Sequence, residues 1–355
     1  MSIVKLARQE IQTLLPYSAA AQIDCTVRLN ANESPFTCSI ENFRRPLNRY
    51  PEVRPKHLQA LLAERFSCCV DQLLVTRGSS EAIDLLIRAF CTAGLDNVLT
   101  LSPSFEMYSH FATVQNAENI QIPTLAENDF AINIDALIDT CNPNTKVIFI
   151  CSPNNPTGTC LPEADLLKLL DARQNLSAVV VDEAYIEFST RSSAIELLEQ
   201  YPNLIILRTL SKALGFAGAR CGAVVASTDV IRLLNAVQAP YALSTPVIEC
   251  VEDILQSSQI ELAEQVINDV IAERDRLISI IRNFPFVKKV WPSEANFFLI
   301  CVNEAKYIIK HAAEHNILLR DFGYILPGCI RITVGSKQDS KQLLDLFETL
   351  SEHQS

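Results

Sequence analysis

Six short apolar runs, at 72–76, 97–101, 146–151, 178–181, 203–207 and 221–226, constrain this chain more than any other feature. Helical patterns fall between them, at 81–91 and 105–115 for example. A strand that is apolar along its whole length has both faces buried. Strands of that kind alternating with helices predict a mostly parallel sheet covered by helices. The expected class is α/β, with this large domain over residues 46–246. Residues 1–45 begin with a helical pattern and turn irregular near 29–35, as an arm that packs on something else. After Pro246 the pattern changes to a long helical stretch over 247–283. Strands near 287–291, 296–302 and 329–334 follow, with helices near 303–315 and 338–351. They predict a smaller α+β domain over 247–355, reached through the long helix.

With 355 residues and 48% hydrophobic content, the chain can bury a substantial core. A net charge of -11 argues against general affinity for nucleic acid or an anionic membrane, but leaves room for a local cationic pocket. The twelve cysteines are scattered, with no C-x-x-C and no zinc-like Cys/His spacing. Several, such as Cys151, sit inside apolar runs and read as small buried hydrophobes kept reduced. His311 and His315 are spaced i, i+4 without a third ligand, and read as a helix face, so no metal is expected. The first 17 residues lack a signal-peptide pattern, and no segment approaches the ~20 apolar residues of a membrane span. The expectation is a soluble cytoplasmic protein.

Ligands of open α/β sheets gather at the carboxyl ends of strands, so the loops there carry the functional signal. RGSSE at 77–81 offers Ser79 and Ser80 at a helix N-terminus, either as an anion site or as ordinary N-capping. SPNNPTG at 152–158 is a rigid loop in which Asn155 can donate to a ligand oxygen, or a plain turn. VDEAY at 181–185 ends an apolar strand with Asp182, a carboxylate that needs a cationic partner such as a protonated pyridine, or that caps a turn. TLSKALG at 209–215 places Lys212 in apolar surroundings, where a desolvated amine becomes nucleophilic toward aldehydes. A lone lysine is otherwise a surface charge. Arg220 adds a fixed cation suited to a phosphate.

Taken together, SPNNPTG, VDEAY and SKALGFAGARCG resemble fold-type-I aminotransferases, and most closely the histidinol-phosphate aminotransferase family. The likeness runs through LNANE at 29–33, RYPE at 49–52, APYALSTPV at 239–247 and RITVG at 331–335. It implies a pyridoxal 5'-phosphate (PLP) enzyme with a mostly parallel seven-stranded sheet. By that resemblance Lys212 holds the cofactor as a Schiff base and shuttles the proton. Asp182 pairs with the ring nitrogen, and Asn155 and Tyr185 bond the phenolate oxygen. Tyr108 stacks on the ring, and Ser79, Ser80, Ser211 and Arg220 hold the phosphate. Tyr50 reaches the phosphate from the neighbouring subunit, which implies a homodimer. Arg331 is similar to the arginine that binds substrate carboxylates. Arg320 joins it for a phosphate, unless it pairs with Asp321. Tyr17 and Asn32 resemble substrate-binding arm residues. The implied reaction moves an amino group between histidinol phosphate and 2-oxoglutarate or glutamate. An aromatic amino-acid aminotransferase and a threonine-phosphate decarboxylase remain alternatives on the same cofactor residues. Phe105 and Glu106 depart from the Tyr and Gly of many relatives. The resemblance also implies cis peptides at Asn155–Pro156 and Ser152–Pro153.

Overall fold

The computed structural model describes residues 2–17, 31, 34 and 43–352. Seven strands form the larger sheet: β1 (Leu73–Thr76), β2 (Asn97–Ser102), β3 (Glu118–Pro123), β4 (Thr145–Cys151), β5 (Ala178–Asp182), β6 (Leu204–Thr209) and β7 (Gly222–Ala226). Their order is β1-β7-β6-β5-β4-β2-β3. All are mutually parallel except β7, which runs against both its neighbours.

The apolar runs are explained by which core each residue feeds. Alternate side chains of a strand point to opposite faces. Val147, Phe149 and Val180 pack with Ile83 and Leu86 of helix Gly78–Phe90. Ile148, Ile150, Val179 and Val181 pack on the other face with Leu166, Leu169 and Leu170 of helix Glu163–Ala172. β3 gives no such signal. It is an edge strand whose Glu118 and Gln121 lie in a largely unburied row, with Ile122 alone buried.

The helical stretch expected over 247–283 is two helices, Thr245–Leu255 and Gln259–Ile281. The break falls at Gln256-Ser257-Ser258. Serine side chains compete for backbone bonds and favour helix ends over interiors, and Ser257 Oγ donates to the Ile254 carbonyl at 2.9 Å. Ile248 and Val251 of the first helix pack in a core of the larger sheet. The second helix gives Ile267 to the larger sheet and Leu277, Ile278 and Ile281 to the smaller one.

The smaller sheet is antiparallel, in the order β10-β11-β9-β8, from β8 (Val287–Val290), β9 (Phe297–Val302), β10 (Arg320–Asp321) and β11 (Cys329–Thr333). Helices Ala305–Glu314 and Lys337–Glu352 cover it through Ile308, Phe347 and Leu350. Strand β10 has two charged residues and no apolar signal to read. Among the described residues, no helix is long and apolar enough to cross a membrane, and no group of three or more His, Cys, Asp or Glu side chains is placed to hold a metal ion. Cys91, Cys151, Cys221 and Cys329 are buried, whereas Cys69 and Cys250 are exposed.

Candidate active site

The carboxyl ends of β1, β2, β4, β5 and β6 lie along one edge of the larger sheet. A cavity of about 210 Å³ opens there, lined by Ser79, Ser80, Asp182, Tyr185, Ser211, Lys212 and Arg220, with Phe105, Cys151, Ala184, Thr209 and Ala217 completing its wall. Phe105 stands out in the sequence only as a departure from relatives, and Thr209 is given no role there. Thr209 follows no charged or glycine signal, yet its hydroxyl donates to Ser211 Oγ at 2.9 Å.

One end of the cavity is a cup for an anion. Helix Gly78–Phe90 presents its N-terminus there with Ser79 and Ser80. Glu81 serves as the turn's cap. Its buried carboxylate accepts from the Arg77 backbone N–H at 2.6 Å, from Arg77 Nε at 3.0 Å and from Gln238 Nε2 at 3.3 Å. The capping and anion readings of this loop therefore use different residues. Arg220 lies against the loop, and donates to Ser211 Oγ at 3.3 Å and to the Ala217 carbonyl at 3.1 Å. Gly78 makes this approach possible. It has a left-handed φ of +73°, and a Cβ there would stand 2.8 Å from the Arg220 guanidinium.

The centre of the cavity holds a buried carboxylate and an amine. Asp182, 2% exposed, accepts from the Tyr108 hydroxyl at 2.8 Å and the Ala184 N–H at 3.1 Å. Burial pushes its carboxyl up to about 6, against the opposing pull of Tyr108, Ala184 and the Lys212 charge. Lys212 is an exposed residue that also lines the cavity. Desolvation lowers its pKa, and Arg331 and then Arg220 lower it further, while Asp182 opposes them. The Lys212 ammonium stands 5.8 Å from the Tyr185 ring centre. Burial pushes the Tyr185 phenol up.

Tyr108 is placed differently from the stacking role its resemblance implies. Its ring, 1% exposed, stacks on Phe149 at 4.8 Å, and its hydroxyl is spent on Asp182. Phe105 packs edge-on against it at 5.7 Å and, with Tyr185, is an aromatic that lines the cavity. The physical reason is that a buried carboxylate takes a donor within reach. Glu106, the other departure, accepts from the Tyr324 hydroxyl in the turn between β10 and β11.

The SPNNPTG loop is held by Asn154, which leaves Asn155 for other work. Asn154 Nδ2 donates to the Pro103 carbonyl at 3.1 Å and to Thr157 Oγ1 at 2.9 Å, and its Oδ1 accepts from Ser104 at 2.8 Å. Ser152–Pro153 and Asn155–Pro156 are cis, and so is Ser102–Pro103 in the facing loop. Asn155 Oδ1 accepts from Arg331 Nη1, so the Asn155 amide hydrogens remain to donate.

Arg331 brings the smaller sheet to the site. Its guanidinium lies over the Phe297 ring at 5.1 Å and the Phe322 ring at 5.5 Å. Its Nε is buried and without a hydrogen-bond partner. Arg320 is its register partner across β10 and β11. Asp321 accepts from the Gly323 N–H at 2.7 Å, and no ion pair joins it to Arg320. Two like charges directly opposite on a sheet are destabilising, and an anion between them removes the conflict. Tyr50, 51% exposed, stacks on Tyr241 at 4.7 Å and is not among the residues that line the cavity. Tyr17, 57% exposed, is not among them either. Asn32 lies outside the described residues.

The family model for aminotransferases of class I and II matches residues 20–347. The chain belongs to this aminotransferase family. The aminotransferase is 39% identical over 349 residues to the histidinol-phosphate aminotransferase of Escherichia coli (strain K12), covering 97% of each chain. Its fold matches the crystal structure of histidinol-phosphate aminotransferase from Sinorhizobium meliloti in complex with pyridoxal-5'-phosphate, with a TM-score of 0.77 at 19% identity, over 87% of this chain and 84% of that one. It also matches L-threonine-O-3-phosphate decarboxylase from Porphyromonas gingivalis, with a TM-score of 0.72 at 26% identity, over 86% and 91%.

The aminotransferase's own residues fit PLP on three observations. The cup of Ser79, Ser80, Ser211 and Arg220 suits a phosphate. The raised pKa of Asp182 marks a carboxylate short of a full cationic partner, which a ring N–H supplies. Lys212, with its pKa lowered by burial and then by Arg331 and Arg220, suits capture of an aldehyde.

Proposed function

We propose that this aminotransferase transfers an amino group between histidinol phosphate and 2-oxoglutarate, as a step of histidine biosynthesis, with PLP as its resident cofactor. The observation that carries the substrate is the Arg320–Arg331 rung, a double cation joined to the site through the bond from Arg331 to Asn155. Two guanidiniums suit a phosphate better than a single carboxylate. The near full-length likeness to enzymes named for histidinol phosphate supports the same reading.

When bound, PLP supplies an aldehyde that captures amines and a protonated ring that accepts electron density. The chain does the rest. Lys212 Nζ would take the proton from the substrate Cα and return it to the carbon on the far side of the amine nitrogen, and burial, then Arg331 and Arg220, favour the neutral amine this requires. Asp182 holds the proton on the ring nitrogen. Asn155 and Tyr185 would orient the ring oxygen, with Asn155 held through its Oδ1 by Arg331. Ser79, Ser80, Ser211 and Arg220 bind the cofactor phosphate. Arg320 and Arg331 bind the substrate phosphate in one half-reaction and the carboxylates of glutamate in the other.

The working form is a homodimer in the cytoplasm. Tyr50 supports the shared site, since it is exposed beyond the cavity of its own chain. By resemblance alone, Tyr17 and Asn32 are assigned to substrate binding. The chain divides into the arm, a large PLP domain and a small domain, with helix Gln259–Ile281 crossing between the two cores.

The purified enzyme is tested with histidinol phosphate and with phenylalanine, each with 2-oxoglutarate. The expected order is a kcat/KM for histidinol phosphate higher by at least about tenfold, the worth of one charged hydrogen bond. The reverse preference refutes the substrate. Release of CO2 from threonine phosphate transfers the assignment to the decarboxylase reaction that the Porphyromonas gingivalis neighbour is named for.

A further inference from the structure

The smaller sheet sets two thiols face to face. Cys329 on β11 is the register partner of Cys301 on β9. Antiparallel rungs alternate between hydrogen-bonded and non-hydrogen-bonded pairs. The Val302 N–H donates to the Gly328 carbonyl at 2.9 Å, and the Val334 N–H donates to the Asn296 carbonyl at 3.0 Å. Those bonds place the even-numbered residues of β9 on the bonded rungs. The Cys301–Cys329 rung is therefore a non-bonded one, the closer kind, with Cα atoms about 4.5 Å apart. A disulfide accepts Cα separations of about 4.4–6.8 Å. Both residues are free cysteines here.

This rung lies on the working face of the sheet. Residues two apart on a strand share a face, so Cys329 sits beside Arg331, and Cys301 beside Leu299 and Phe297. The contacts agree. Cys329 packs with Leu299 and Phe322, and Cys301 packs against the same cluster. The Phe322 N–H donates to the Cys329 carbonyl at 3.1 Å, and the Arg331 guanidinium lies over the Phe322 ring.

We propose that Cys301 and Cys329 are a modification site, converted by a small-molecule disulfide such as oxidised glutathione into a cross-strand disulfide that shifts Arg331 and weakens binding of the substrate's anionic end. Facing Cβ atoms on such a rung stand about 4.5–5.5 Å apart, and a disulfide holds them at about 3.5–4.5 Å. Closing the bond tilts the two Cβ atoms toward each other by roughly 1 Å, judged from those two spacings, and so twists the rung without bringing the backbones closer. Arg331 and Phe322 are the groups nearest that movement.

The chemistry balances through two exchanges. Cys301 is half-buried and is the thiol within reach of solvent. Its thiolate attacks one sulfur of the small disulfide and expels one small thiolate. Cys329 is buried, and burial and then the Cys301 thiol push it up to about 12. It attacks the Cys301 sulfur in the second exchange and expels the second small thiolate. The two protein thiols lose two protons and two electrons, and the small disulfide gains both and leaves as two thiols.

The kinetic effect rests on the proposed substrate, and the crosslink does not. PLP-loaded enzyme is incubated with oxidised glutathione, its remaining thiols are alkylated in acid, and its peptides are mapped by mass spectrometry. The expected result is a peptide carrying Cys301 joined to one carrying Cys329. The KM for histidinol phosphate should rise roughly threefold or more, with kcat changed less, and dithiothreitol should reverse both changes. Cys301→Ser should keep the reduced KM after oxidation. Glutathione found on the exposed Cys69 and Cys250 without a 301–329 crosslink overturns the proposal. A crosslink that leaves KM unchanged overturns it as well. If the reduced enzyme does not turn over histidinol phosphate at all, the substrate reading fails instead, and the KM for glutamate becomes the measured quantity.

Discussion

The buried Tyr108 hydroxyl donates to the Asp182 carboxylate in the cavity wall at 2.8 Å. The pair shows what the fold sets against function. Asp182 is buried where an ionised carboxylate is disfavoured, and one phenol and one backbone N–H are not enough to offset this, since its pKa remains near 6. On the proposed reading, the missing counter-charge is that of the cofactor ring.

Asp182→Asn should make the cofactor-free protein more stable and the loaded enzyme nearly inactive. The folded pKa of about 6 lies above the ordinary 3.8. Folding therefore favours the protonated form, and a stability penalty grows between about pH 4 and pH 6 and is complete above. Denaturant melts of the cofactor-free proteins should give the variant an advantage of about 1–3 kcal/mol at pH 8. That advantage should fade toward pH 4. An advantage that grew on acidification would contradict the burial argument.

Arg331→Gln should make Lys212 harder to deprotonate. After burial, Arg331 is the largest influence lowering the Lys212 pKa. Its removal favours the ammonium, so capture of PLP by cofactor-free protein, followed by absorbance across pH, should need a higher pH. A midpoint that moved down would show that Arg331 does not act on Lys212 through charge.

Lys212→Ala should lower kcat by roughly 10²–10⁴, the usual worth of a positioned proton-transfer group. Borohydride should no longer fix the cofactor to the chain, as read by intact mass. Retention of a borohydride-fixed adduct at full yield would place the attachment elsewhere.

Arg320→Gln should raise the KM for histidinol phosphate by about tenfold, from the loss of a charge-assisted contact of roughly 1.5 kcal/mol. Cofactor affinity should stay as it is, because Arg320 is not part of the phosphate cup. Equal losses for phosphate and neutral substrates would remove Arg320 from the binding of the anionic end.

Gly158→Ala should destabilise the fold by about 1–3 kcal/mol or more. A Cβ there would stand 2.2 Å from Ser293 Oγ and 2.9 Å from its backbone Cα, at a φ of +74°. Gly218→Ala, with nothing within 4 Å of the new atom, is the matched control and should stay within about 0.5 kcal/mol. Thermal melts of the two variants decide this.

The strands that carry the site were legible because both their faces are buried, so β4, β5 and β6 read as unbroken apolar runs. The four loops that follow strands of that sheet were legible because charge or rigid turn chemistry interrupts those runs. The edge strand β3 was not, since only one of its residues is buried. The long helix after Pro246 was read as one element, because apolar spacing continues on both sides of the serines that break it. Strand β10 is two charged residues, and nothing in a two-residue stretch has a period. The placement of Tyr108 depends on a contact 74 positions away, which no local pattern encodes.

Because β10 spans only Arg320 and Asp321, the side on which Arg320 emerges depends on the turn at 322–328 that returns the chain to β11. One residue gained or lost there reverses the facing of the arginine, as any single-step register slip does. The cofactor cup hangs on a different sheet and is untouched by such a change. If Arg320 binds substrate as proposed, the length of this seven-residue turn can change ligand choice while cofactor retention stays as it is.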